Sequence, residues 1–175
     1  MRELRQSSLI EGNREALQQW LALLDQLSDA QYCSAPQPVQ FGIGRHMRHV
    51  LDMYRALRAG LSTGEVDYEL RHRDSRIEQS PSEAVTRLHN LLAWLPDIGD
   101  DRALRVHTRV SVAAGNIELL DSCLSRELAF VASHSVHHLA YAVVLAKLQG
   151  CEVDESLGLA PATVHAEPLL GRGGQ

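Results

Sequence analysis

Ser133-His134-Ser135-Val136-His137-His138-Leu139 sets two histidines four residues apart inside an apolar segment that also holds Leu128, Phe130, Val131, Val143 and Val144. Residues four apart in a helix lie one turn above each other on the same face, with Cβ atoms about 5–6 Å apart. His134 and His138 can therefore present two imidazole nitrogens to one point, and Zn–N bonds of about 2.0–2.1 Å suit that reach. Burying several imidazoles without a partner is costly, and a cation supplies the partner. The apolar pattern predicts a long helix from Asp121 or Ser122 to Gln149, with Gly150 as its cap.

A third ligand has to come from another helix. The window Gly44-Arg45-His46-Met47-Arg48-His49-Val50-Leu51-Asp52 supplies His49, and Asp52 one turn later could orient a ligand or take a coordination position. Together the two windows hold five of the nine histidines. Two of these compete for the role: His137 is three positions from His134, and His46 is three from His49.

Other metal chemistries fit less well. A HExxH metalloprotease needs Glu after the first histidine, and position 135 is Ser. Di-iron bundles need two Glu-x-x-His motifs on different helices, whereas only Glu69-Leu70-Arg71-His72 has that spacing, in a polar connection. Cys33, Cys123 and Cys151 form no CxxC pair, which argues against a cysteine zinc site and suits reduced thiols. A mononuclear three-histidine site remains, with an open position of the kind catalytic metals keep. Imidazole suits Zn, Cu, Fe and Ni alike, so the pattern leaves the divalent ion unassigned.

Working outward, three more helices emerge. Leu9, Leu17, Trp20, Leu21, Leu24 and Leu27 recur at spacings of three and four, predicting a helix from about Arg2 to Leu27 that Gly12 weakens near its start. A second begins between Phe41 and Gly44 and stops near Gly60. Residues 61–79 read as a polar connection. The third has Ser80 as N-cap, Pro81 in the first helical position and Glu83 closing a capping box, and it runs to Trp94 or Leu95. Alternation at Leu104, Val106, Thr108 and Val110, a turn at Gly115-Asn116 and a return over Ile117 to Leu120 predict a small β-hairpin before the last helix. Residues 151–175 read as an irregular tail, fraying after Leu170, and the whole of 1–175 as one domain.

Composition narrows the function. Apolar residues are 45 % and charged residues 22 %, which excludes wholesale disorder, and aromatics at 5 % favour helices over strands. A net charge of −5, with a single lysine (Lys147), argues against a nucleic-acid partner. Neither a signal-peptide core nor a run of 18 apolar residues stands out, so the expected setting is the cytoplasm, away from membranes.

In these two histidine windows the chain resembles the DinB-like superfamily, also called YfiT-like metal-dependent hydrolases. The resemblance implies an all-α four-helix bundle in up-down-down-up order, often dimeric. It places one metal ligand on the second helix and an HxxxH pair on the fourth, which here are His49, His134 and His138. The Gly44 to His49 stretch is also similar to the HxxH of the related domain in sulfoxide synthases, where the second histidine is the ligand, favouring His49 over His46. Those domains carry Glu two positions after the pair, whereas position 140 here is Ala, so their reaction does not transfer. Other relatives are transferases that use mycothiol or bacillithiol.

The expected function is therefore a metal-dependent enzyme with a small-molecule substrate, working as a homodimer. It is either a transferase using a low-molecular-weight thiol, deprotonated on the metal, or a hydrolase using water acidified there. Candidate catalytic residues are Asp52, Tyr68 and Arg71. Asp67, Tyr68, Arg71, Arg73 and Asp74 could contact an anionic substrate through guanidinium forks, and Glu127 could accept a hydrogen bond from a ligand. The competing expectation is a non-catalytic metal-binding or structural dimer.

Overall fold

The computed structural model describes residues 2–70 and 75–164. The chain is mostly helical. Four long helices, α1 (Arg2–Asp25), α3 (Ile43–Thr63), α5 (Pro81–Trp94) and α6 (Leu124–Leu148), are joined by two short ones, α2 (Asp29–Cys33) and α4 (Ser75–Gln79). A 3-10 turn, Leu95–Asp97, follows α5 where Pro96 stops it. Helices α1 and α3 each pack against both α5 and α6. Trp20, Leu17, Met47, Tyr54, Leu88, Leu128 and Leu139 fill the space between them.

Three strands, β1 (Glu65–Asp67), β2 (Ala103–Thr108) and β3 (Glu118–Cys123), form one sheet in that order. Strands β2 and β3 are the expected hairpin, antiparallel, with Ala103 opposite Cys123 and Thr108 opposite Glu118. The expected hairpin gains a third strand, because β1 pairs in parallel with β2 and pulls part of the supposed polar connection into the sheet. A three-residue strand has too little alternation to register as periodicity. The hairpin also takes residues 121–123, which the sequence assigned to the last helix, so α6 starts at Leu124.

Helix ends follow local chemistry. Gly60 is not a cap, because α3 continues to Thr63. Gly64 caps it instead, at φ +79, a conformation glycine adopts without strain. Gly60 serves packing: a Cβ there would lie 2.6 Å from Val66 Cγ2, so its absence lets β1 fold back on α3. At Ser80 only half of the expected capping box forms. Its hydroxyl accepts from the Glu83 N–H, while the Glu83 carboxylate pairs with Arg87 one turn on. The first helix runs through Gly12 without a break.

By length and composition α6 is apolar enough to cross a membrane, a property the sequence reading did not credit. Here it packs on α1 and α3, with Leu124, Leu128, Val131, Leu139, Ala142 and Leu145 in the core. It also carries the buried carboxylate of Glu127. Of the expected tail, residues 151–164 lie over α1 and α6. Val153 and Leu157 join the core, and the Gly158 N–H donates to Gln19 Oε1 at 3.0 Å. The remainder, with its expected fraying, is outside the described residues.

Polar latches inside the core set the register between helices. Asn13 Nδ2 donates to the Leu128 carbonyl, and Tyr54 Oη donates to Asn13 Oδ1 at 2.8 Å, tying α1, α3 and α6 together. Trp20 Nε1 donates to Ser135 Oγ at 3.1 Å, directly beside His134. Buried groups left unpaired are penalised by about 1–3 kcal/mol each, so these bonds disfavour sliding α6 by a turn.

Candidate metal centre

His49, on α3, meets His134 and His138, on α6. One ring nitrogen from each of the three lies within 4.8 Å of the others, and all three residues are half-buried. His49 Nε2 is 2.8 Å from His134 Nε2. The ring centroids of His138 lie 4.7 Å from His49 and 4.6 Å from His134. Among the described residues this is the one cluster of three His, Cys, Asp or Glu side chains with that convergence.

The donor set fits a divalent ion. Nitrogens bound tetrahedrally to one ion at about 2.0–2.1 Å lie about 3.3–3.4 Å apart, so the close His49–His134 pair would open by about half an ångström and the widest gap would close by at most about 1.5 Å. Neutral imidazoles are required, and the surroundings keep His138 neutral. Burial, followed by the neighbouring His49, His134, His46 and His137, lowers its pKa to about 3. Three ring nitrogens converging on one point are the chemistry of a borderline cation.

The two competing histidines occupy different places. His46 stands outside the converging group, with its Nδ1 3.0 Å from His138 Nδ1 and its ring 4.8 Å from Tyr141. Burial, then Arg45 and His137, lowers its pKa. His137 touches the edge of the His138 ring, with centroids 5.4 Å apart, and lines a separate cavity with Ser133, Val136 and Ala140.

Asp52 is not in the cluster. Its Oδ2 accepts from Arg48 Nη1 at 2.6 Å, and it borders a cavity of about 740 Å³ with Arg55, Arg58 and Arg87. Tyr68 is buried, and its hydroxyl donates to Glu127 Oε2 at 2.7 Å. Burial and then the Glu127 carboxylate push that phenol far above its ordinary pKa. Asp67 Oδ1 accepts from the Glu69 N–H. Arg71, like Arg73 and Asp74, lies outside the described residues. Glu127 accepts from Tyr68, from Ser122 and from Arg126 rather than reaching along α6 to the histidines in any of these bonds.

Phe130 was not singled out as a functional residue. Spaced three from Glu127 and four before His134, it lies on the face of α6 that carries the cluster. Its ring stacks on His134 at 5.6 Å between centroids and meets Tyr68 edge-on at 5.3 Å. It also walls a cavity of about 560 Å³ with Tyr68, Val106, Leu120, Cys123 and Arg126. The three-four spacing could have marked it; the cavity, formed with the sheet, could not be seen in one dimension.

Searches among curated proteins and among solved structures returned no match. The family model of the DinB superfamily matches residues 13–142, a span that includes all three clustered histidines. Three-quarters of the sequence falls within that match, and on this ground the chain belongs to the DinB superfamily.

Proposed function

We propose that this chain is a metal-dependent enzyme that acts on a small molecule, with His49, His134 and His138 holding one divalent ion (Zn, Ni or Fe). The four long helices would form the up-down-down-up bundle of the superfamily. The observation that carries the proposal is the convergence of three imidazole nitrogens within 4.8 Å from helices 85 residues apart in sequence. Membership of a superfamily often associated with metal dependence supports it.

A divalent ion held by three imidazoles supplies Lewis acidity at an open position, enough to acidify a thiol or a water. The rest falls to the chain. His138 stays unprotonated and available as a donor. Phe130 and Tyr68 give the adjoining cavity an aromatic wall, and its size falls in the range of small-molecule sites. Arg126, more than half exposed, lines the same cavity with its guanidinium 5.0 Å above the Phe130 ring, where it can meet an anionic group of the substrate. In this reading Tyr68 shapes the cavity and does not move protons, because its hydroxyl is committed to Glu127.

Two reaction classes follow from the same site: transfer using a small thiol, and hydrolysis. Elemental analysis of untagged protein purified without chelator or nickel resin should find close to one divalent ion per chain. A metal-loaded sample is then offered thiols with electrophiles, and separately esters and amides. Turnover in one panel assigns the class. Metal without turnover in either would leave the non-catalytic binding alternative.

A further inference from the structure

We infer that His46 is a positioning residue for His138: it accepts a hydrogen bond from His138 Nδ1–H and so directs the other nitrogen, Nε2, to the metal. The inference rests on the three-histidine reading above. Its basis is the 3.0 Å separation of the two Nδ1 atoms. Two ring nitrogens at that distance share one proton, so one must donate and the other accept. A neutral imidazole that binds a cation through one nitrogen carries its proton on the other. With Nδ1 of His138 turned to His46, Nε2 is the nitrogen left for the cluster, and the shared proton belongs to His138.

That assignment fixes His46 as well. It must accept through Nδ1 and carry its own proton on Nε2. The Nε2 atom is buried and has no hydrogen-bond partner among the described residues. A buried donor with nothing to bond is unfavourable, so the placement is not explained by satisfaction of His46 itself. The satisfied end is the one facing His138. Sequence and fold agree with this division of labour. His46 is three positions before His49 on α3, so both face α6, yet only His49 falls in the converging group. One helix thus supplies a ligand and, one turn earlier, the acceptor that orients a ligand on the opposite helix. Outer partners of this kind typically change metal affinity by about 10–100-fold.

The test compares H46N with H46L. Asn Oδ1 stands where His Nδ1 stood, while Leu has the same branching and no acceptor. Zn²⁺ affinity is measured by competition with a chromophoric chelator, and folding by circular dichroism. His46→Leu should weaken Zn²⁺ about 10–100-fold, and His46→Asn should stay within about threefold of native. Equal weakening in both variants would make His46 a ligand or a packing residue and overturn the inference, as would unchanged affinity in His46→Leu. If native protein takes up no Zn²⁺, the three-histidine reading fails first and this inference with it. Long-range ¹⁵N–¹H spectra of the Zn²⁺-loaded native protein cover the case in which His46→Leu does not fold. They should find the His138 proton on Nδ1, and a proton on Nε2 would overturn the inference.

Discussion

Arg48 and Asp52, one turn apart on α3, form a buried ion pair at 2.6 Å, and the same guanidinium reaches Glu78 of α4 at 2.6 Å. Both Arg48 and Asp52 are more than nine-tenths buried. The pair lies on the flank of α3 next to the one that carries His49, and it fastens the short α4 onto the helix that supplies a proposed ligand. Truncating one member of a buried pair leaves the other charge uncompensated, which is more harmful than the pair is helpful. Arg48→Ala should therefore destabilise the fold by about 3 kcal/mol in urea unfolding. A loss under about 1 kcal/mol would mean that water reaches Asp52 and the network is slack.

Removing a ligand should affect the metal far more than the fold. His49→Ala and His138→Ala should each weaken Zn²⁺ binding beyond the roughly 10–100-fold expected for loss of an outer partner. Far-ultraviolet circular dichroism of the metal-free variants should match native, because the three histidines are half-buried and none of them belongs to the apolar core. Variants that unfold would assign the ion a structural role.

Much of this candidate cluster was legible from spacing alone. An i,i+4 pair is a statement about one helix face, and it holds wherever the helix begins; misplacing the start of α6 by three residues did no harm to His134 and His138. The spacing already pointed to His49 on the second helix, and the resemblance to related domains supported it over His46, three residues earlier on the same helix. Asp52 looked like a metal-site residue because it sits near His49 in sequence. Its partner is Arg48, one turn earlier, and that guanidinium also binds Glu78, 30 residues further along in a helix too short for any periodic signal. Strand β1 escaped for the same reason: Glu65–Asp67 is defined by pairing with Arg105–His107, a contact no local pattern encodes.

The β1–β2 pairing carries a pH signature. The Glu65 carboxylate accepts from His107 and pairs with Arg105 on the neighbouring strand. The His107 hydrogen bond first, and then the Arg105 charge, hold its pKa below the ordinary 4.5. A carboxyl with a lowered folded-state pKa stabilises the fold fully above its unfolded value and loses that contribution as pH falls through the folded value. Native protein should thus lose stability in the window just below pH 4.5, and Glu65→Gln should flatten that part of the profile. Parallel urea midpoints for the two proteins across this window decide it. Identical slopes would remove Glu65 from the account.

Gly44 tests how tightly α4 seats on α3. A Cβ at this position would run into the Glu78 carbonyl and lie 2.9 Å from the Tyr32 ring. Backbone on one side and a fully buried ring on the other leave little room to yield. Gly44→Ala should cost about 1–3 kcal/mol through overpacking, despite the helix propensity that alanine adds. A stabilised variant would show that α4 lifts away freely, and then Glu78 could not be holding Arg48 in place.

Tyr68 separates architecture from chemistry. Its hydroxyl is one of three donors to Glu127, a carboxylate that is fully buried on α6. Tyr68→Phe keeps the ring against Phe130 but withdraws that donor, so the buried carboxylate is left short by one bond. Stability should drop by about 1–3 kcal/mol, with Zn²⁺ affinity unchanged, since the Tyr68 ring packs on Phe130 and it is the Phe130 ring that stacks on His134. The phenol pKa bears on the same choice. Burial and the facing carboxylate raise it far above neutrality, so the group cannot release a proton at ordinary pH. If Tyr68→Phe kept full stability while turnover in the thiol or ester assays collapsed, that assignment would reverse, and the phenol would have to be a proton donor that leaves Glu127 during the reaction.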